Sequence, residues 1–84
     1  METILARTPQ QIGNHIRRCR KKQKMSQTQL SKITGIPQST ISEVESAQRA
    51  SRLDTVLALL AALGLELRIS DRTTGTEADL EDLF

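Results

Sequence analysis

SQTQLSKITGIPQSTISEV, residues 26–44, reads as two short helices joined by a tight glycine turn. Ser26 with Gln29 three residues later is a helix N-cap followed by its capping-box partner. Leu30 and Ile33 give this helix one apolar edge. Gly35 stands where a chain reversal needs positive φ. Pro37 falls at the entrance of the next helix, where a missing N–H costs nothing. In that helix Ile41 and Val44 point one way, and Gln38, Ser39 and Ser42 the other. A small, uncharged face rich in amide and hydroxyl groups suits the major groove, where such groups read base edges. The pattern is a helix-turn-helix, which implies binding to duplex DNA.

Outward from this stretch, Thr8-Pro9 opens a first helix as N-cap and first-turn proline. It is expected to run to about residue 24, with Ile12, Ile16 and Cys19 on its buried edge and His15 facing solvent. Its C-terminal half, RRCRKKQK, holds six basic residues. They complement the helix dipole and form a rim attractive to phosphate. The second and third helices cover about residues 27–34 and 38–45, and SAQRA is a loop. Ser51 is expected to cap a fourth helix with Asp54 reaching back. Leu53, Val56, Leu57, Leu60 and Leu63 form its apolar stripe, and Gly64 ends it.

The period then changes to two. Leu65, Leu67 and Ile69 alternate with Glu66, Arg68 and Ser70, as in a half-buried strand. An isolated strand leaves its backbone groups unpaired. The simplest partner is the same segment of a second copy, antiparallel about Leu67, with Glu66 opposite Arg68 twice. Pairing with Ile4 and Leu5 is the alternative. The expected layout is an N-terminal arm (1–7), a helix-turn-helix domain (8–63), a dimerisation strand (64–70) and a flexible acidic tail (71–84).

Composition narrows the function. Eighty-four residues make one domain. Phe84 is the only aromatic residue, so the chain body has no stacking platform of the kind single-strand and RNA modules use. One Cys and one His cannot build a zinc site or an oriented Cys–His pair, and neither a metal nor another cofactor is expected. No nucleophile, carboxylate pair or phosphate loop marks an enzyme. The longest apolar run, VLALLAALGL, is too short to span a bilayer, and the N-terminus does not resemble a signal peptide. A cytoplasmic protein is expected. The net charge of +2 hides an asymmetry: residues 1–52 hold ten Lys/Arg against three acids, whereas residues 53–84 hold two against seven. The basic part points to nucleic acid, and the acidic part to a protein partner or to solubility.

The stretch from Arg20 through Glu45, with SQTQLSKITGI and PQSTISEVE inside it, resembles the Cro/phage-repressor (XRE-type) helix-turn-helix family. With the flanking helices the resemblance covers about residues 8–63 and implies an all-α, lambda-repressor-like bundle of four helices. The LELRIS strand and acidic tail narrow it to HipB-like antitoxins. These are dimeric repressors that pair through a short intersubunit β-ribbon and bind a HipA-type kinase toxin.

By that resemblance Gln27 holds a backbone phosphate and Gln38 reads adenine. Ser39, Thr40 and Ser42 touch bases or phosphates, and Glu43 either accepts from cytosine or repels phosphate. Arg20 and Glu45 match a structural ion pair, and Ser46-Ala47 departs from the Asn-Gly often found after that glutamate. Ser26, Thr28, Ser46, Arg17, Arg18, Lys21, Lys22, Arg49 and Arg52 complete the expected phosphate-binding set. Leu65, Glu66, Leu67, Arg68 and Ile69 form the dimerisation set. The expected partners are an inverted-repeat operator duplex, a second copy and a HipA-type kinase. The rival functions are a stand-alone repressor and a repressor-like protein-interaction module that does not read DNA.

Overall fold

Thr8 starts the first helix as its sequence requires. Its hydroxyl accepts the Gln11 N–H at 3.1 Å while the Gln11 side chain accepts the Thr8 N–H at 3.1 Å, with Pro9 in the first turn. The structure, a computed structural model, describes residues 4–72. Among them four helices follow one another: α1 (Pro9–Lys22), α2 (Gln27–Thr34), α3 (Gln38–Ser46) and α4 (Leu53–Ala62). None is long and apolar enough to cross a membrane.

α1 stops slightly before the expected end because Lys24 turns left-handed, at φ 57, and the Met25 N–H closes back on the Arg20 carbonyl at 3.0 Å. α1 packs on α3, and α2 packs on both α3 and α4. Ile16, Leu30, Ile41, Val44, Leu59 and Leu63 form the buried core, with Ile12, Cys19, Val56 and Leu60 packed at its margin. Each such side chain contributes about 1.5–3 kcal/mol when removed from water.

The approach of α1 to α3 depends on Gly13, a residue that no motif in the sequence marks. A β-carbon there would lie 2.4 Å from the Val44 carbonyl oxygen and 2.6 Å from that of Glu45. Backbone at that distance cannot yield, so only hydrogen fits.

Several expectations need correction. Leu30 is fully buried, but Ile33 is 61 % exposed and is no part of the core edge. His15 is half-buried, and its Nδ1 lacks a hydrogen-bond partner among the described residues. Arg52, not Ser51, is the N-cap of α4, and it makes no side-chain cap. Asp54 instead binds Arg52 at 3.1 Å and accepts the Thr55 N–H at 2.8 Å.

The apolar stripe of α4 is also rotated. Leu59 and Leu63 are buried, whereas Leu53 is 64 % exposed and Leu57 is 40 % exposed. Nearly every position of that helix is apolar, so periodicity gives little contrast by which to choose the inward line. Gly64, at φ 76, ends α4 as expected, and the Leu65 N–H bonds the Leu60 carbonyl at 2.8 Å.

Beyond Gly64, residues 65–70 form no ladder with any described residue, Ile4 and Leu5 included. Leu65 packs against the bundle, while Leu67 is exposed and Ile69 is 95 % exposed. Glu66 and Arg68, expected to meet across a two-fold axis, lie 3.7 Å apart within the chain. The fold is the four-helix bundle, and the described residues contain no strand. The expected tail lies, from residue 73 on, outside the described residues, as do residues 1–3 of the arm.

Candidate nucleic-acid interface

The turn between α2 and α3 is held by local hydrogen bonds that fix the angle of the third helix. Gly35, at φ 75, donates its N–H to the Ser31 carbonyl at 2.8 Å. Thr34 Oγ1 donates to the Leu30 carbonyl at 2.8 Å and accepts the Ile36 N–H at 3.1 Å. Ser31 Oγ donates to the Ile36 carbonyl at 2.6 Å. Pro37 leads into α3 at φ −55 without a side-chain cap, and its carbonyl accepts the Thr40 and Ile41 N–H groups.

α3 then divides by face. Ile41, Val44 and Glu45 are buried, whereas Gln38, Ser39, Ser42 and Ser46 are exposed. Thr40 and Glu43 lie half-buried between the two faces. Of the five residues expected to read bases, three therefore stand on the open face and two at its flanks.

Gln38 makes two long contacts with α2. Its Oε1 accepts from Thr28 Oγ1 at 3.4 Å, and its Nε2 donates to Gln27 Oε1 at 3.4 Å. Gln27 Nε2 donates in turn to Glu45 Oε1 at 3.1 Å. Glu45 takes a two-pronged bond from Arg20, with Nε to Oε2 at 2.7 Å and Nη2 to Oε1 at 2.9 Å. Arg20 Nη1 caps the Met25 carbonyl at 2.8 Å. A continuous polar chain thus runs from a buried ion pair to the amide at the head of α3. Hydrogen bonding to Glu45 raises the Arg20 pKa despite burial, which opposes it, so the guanidinium stays charged.

Arg17, Arg20, Gln27, Ser42, Glu45 and Ser46 line a cleft of about 260 Å³ between α1 and α3. Arg17 therefore flanks the open face of α3, while Arg18, Lys21 and Lys22 stand exposed along α1. Ser26 caps α2 by accepting the Gln29 N–H at 3.0 Å and keeps its hydroxyl proton for an outside acceptor. Ser46 differs: its hydroxyl donates to the Ser42 carbonyl at 2.8 Å, so the proton a phosphate contact needs is already engaged. Arg49 is exposed in the loop after α3. Arg52 is held by Asp54, whose carboxyl pKa is lowered by the Arg52 hydrogen bond and then by the Thr55 N–H.

Ala47 ends α3 at φ 55 and ψ 35, in the left-handed region, with the Gln48 N–H returning to the Glu43 carbonyl at 3.3 Å. The turn geometry after α3 is therefore formed without the glycine that would relieve it. The link between Gln27 and Gln38 is not among the sequence expectations. Its one signal in the sequence is a pair of amides at the first positions of two consecutive helices.

The helix-turn-helix family pattern matches residues 16–70. No curated protein matches the chain. Among solved structures, the chain is similar to a HipB variant in an O2 20mer complex, with 28 % identity, a TM-score of 0.79, and 86 % of this chain and 100 % of the other covered. It is similar at 28 % identity and a TM-score of 0.78 to a chain of a HipA-HipB-O2-O3 complex, covering 84 % of this chain and 100 % of that one. A HipB-O4 20mer complex matches with the same four values: 28 % identity, a TM-score of 0.78, and coverage of 84 % and 100 %.

Proposed function

Because this chain belongs to the helix-turn-helix family, as a HipB-like DNA-binding transcription regulator, we propose that it is a sequence-specific repressor of its own operon and the antitoxin of a HipA-type kinase. The observation that carries the DNA part is the open face of α3, headed by an exposed Gln38 amide beside Gln27 and Thr28. An amide at this position suits two-point pairing with adenine N6 and N7. Ser39 and Ser42 extend the same face, with Thr40 and Glu43 at its flanks. Arg17, Lys21 and Lys22, with the hydroxyl of Ser26 and the N-terminus of α2 at Gln27, supply phosphate contacts.

The working unit in this reading is a homodimer. Leu67 and Ile69 after α4, and Leu53 and Leu57 on it, are apolar and exposed, and a second copy is the economical cover for them. Pairing of residues 65–69 across the two-fold axis would supply the backbone partners the segment lacks in one chain. Two α3 helices would then stand about 34 Å apart, one turn of B-DNA, over the halves of an inverted repeat. The kinase partner is supported by a solved complex whose description joins HipB with HipA. Action in the cytoplasm accords with that role.

The test is a gel shift on the chain's own upstream region at two salt concentrations, with and without the product of the adjacent gene. A retarded band that supershifts with a kinase-like neighbour is expected. A band that is retarded but indifferent to the neighbour would leave a stand-alone repressor. Light scattering at micromolar concentration should give a dimer mass, and a monomer would remove the two-fold geometry.

A further inference from the structure

The cations on α1 have a second candidate ligand in the chain itself. Among the described residues, Arg20 is neutralised by Glu45, but Arg17, Arg18, Lys21, Lys22 and Lys24 take part in no ion pair. They crowd the C-terminal half of α1, where three of them, with Arg20, fall within or just past the last turn. Gln23 sits in the middle of this group and donates its side-chain N–H to the Leu63 carbonyl at 2.8 Å. That bond ties the end of α1 to the end of α4, eight residues before the acidic segment begins. Residues 71–84 hold five acids (Asp71, Glu77, Asp79, Glu81 and Asp82) against the single Arg72.

We infer that the acidic segment 71–84 docks on the basic end of α1 of its own chain and competes there with the DNA backbone. Reach does not limit it. Leu63 lies beside Gln23, the nine residues from there to Arg72 lead at most about 30 Å away, and the twelve after Arg72 span up to about 40 Å when extended. Attachment to the same chain gives the carboxylates a high local concentration, so weak exposed pairs act together. DNA phosphates, being denser in charge, displace them on a cognate site. On random duplex, where binding is almost wholly electrostatic, the segment lowers affinity most. Competition rests on the DNA-binding reading above, whereas the contact itself does not.

The experiment compares the full chain with a full-chain variant carrying Glu77→Gln, Asp79→Asn, Glu81→Gln and Asp82→Asn. Backbone amide spectra are recorded without DNA at about 50 mM and about 200 mM salt. The expected result is a set of shift differences concentrated at residues 17–24, larger at low salt and independent of protein concentration. Lys22→Glu with Lys24→Glu in the parent chain should remove them. Differences confined to residues 71–84, or differences that grow with protein concentration, would overturn the inference.

Affinity for random duplex is then measured at low salt, where the neutralised variant should bind about 3–10-fold tighter, converging with the parent at higher salt as charges are screened. Equal affinities for both chains would overturn the competition. If neither chain binds any duplex while the amide shifts are present, the contact stands and the DNA-binding reading fails.

Discussion

At the scale of single residues, the Arg20–Glu45 pair separates structural charge from binding charge within one basic cluster. Both side chains are buried and bonded at two points. Removing one partner strands the other, which costs about 3–5 kcal/mol. Arg20→Ala should therefore lower the denaturation midpoint strongly in thermal or urea unfolding. The exposed Lys21 should change stability by no more than about 0.5 kcal/mol when replaced by Ala, while weakening binding to all duplexes alike. Gln38 belongs to the opposite class. Gln38→Ala should cost about 1–3 kcal/mol on the cognate duplex and little on a random one, as read by a fluorescence anisotropy titration. Equal losses on both duplexes would remove Gln38 from the reading set. Gln27 and Thr28 lie 3.4 Å from the Gln38 amide, so their replacement should alter the same discrimination less than Gln38→Ala does.

At the scale of helices, two backbone positions set how the elements meet. Gly13→Ala gains about 1 kcal/mol of helix propensity. It also drives a methyl group to 2.4 Å from the Val44 carbonyl oxygen. Overpacking of this kind costs typically about 1–3 kcal/mol, and more against rigid backbone. The net effect should be destabilising, with a melting temperature lower by roughly 5–15 °C for a domain of this size. Ala47→Gly acts in the other direction. The left-handed backbone at φ 55 burdens a β-carbon by about 1–2 kcal/mol, part of which glycine returns to a more flexible unfolded chain. A gain of about 0.5–1 kcal/mol in denaturant unfolding is expected, with α3 and its open face unchanged.

Elements with strong local chemistry are legible in the sequence. Thr8-Pro9, Ser26 with Gln29, Gly35 and Gly64 each mark a boundary through their own backbone preferences, and the helices begin or end beside them. α4 is harder to read, because an almost uniformly apolar helix hides its inward line, and Leu59 takes the core place expected of Leu53 and Leu57. Ile33 misleads for a related reason: in an eight-residue helix one apolar spacing does not define a face. The role of Gly13 is invisible to local patterning because its constraint comes from backbone far along the chain.

At the scale of the whole molecule, the chain separates charge along its length. The basic rim of α1 and the open face of α3 adjoin one cleft, with Arg17, Ser42 and Ser46 together on its walls. Apolar side chains stand uncovered on α4, at Leu53 and Leu57, and after it, at Leu67 and Ile69. This arrangement suits a protein that meets DNA with one surface and its own copy with another. In the proposed dimer the two uses are linked, since a second copy doubles the phosphate contacts and fixes the spacing of the reading helices. Affinity should then fall by orders of magnitude between low and moderate salt, in proportion to about six to ten contacts.

The most direct measurement is an anisotropy titration of the purified full chain against its native upstream duplex and a scrambled duplex of the same composition, repeated across a salt series. Preference for the native duplex should persist as salt rises, because ion release weakens binding to both while base contacts remain. Identical affinities for the two duplexes at every salt concentration would contradict the proposal that the polar side chains leading α3 read a groove.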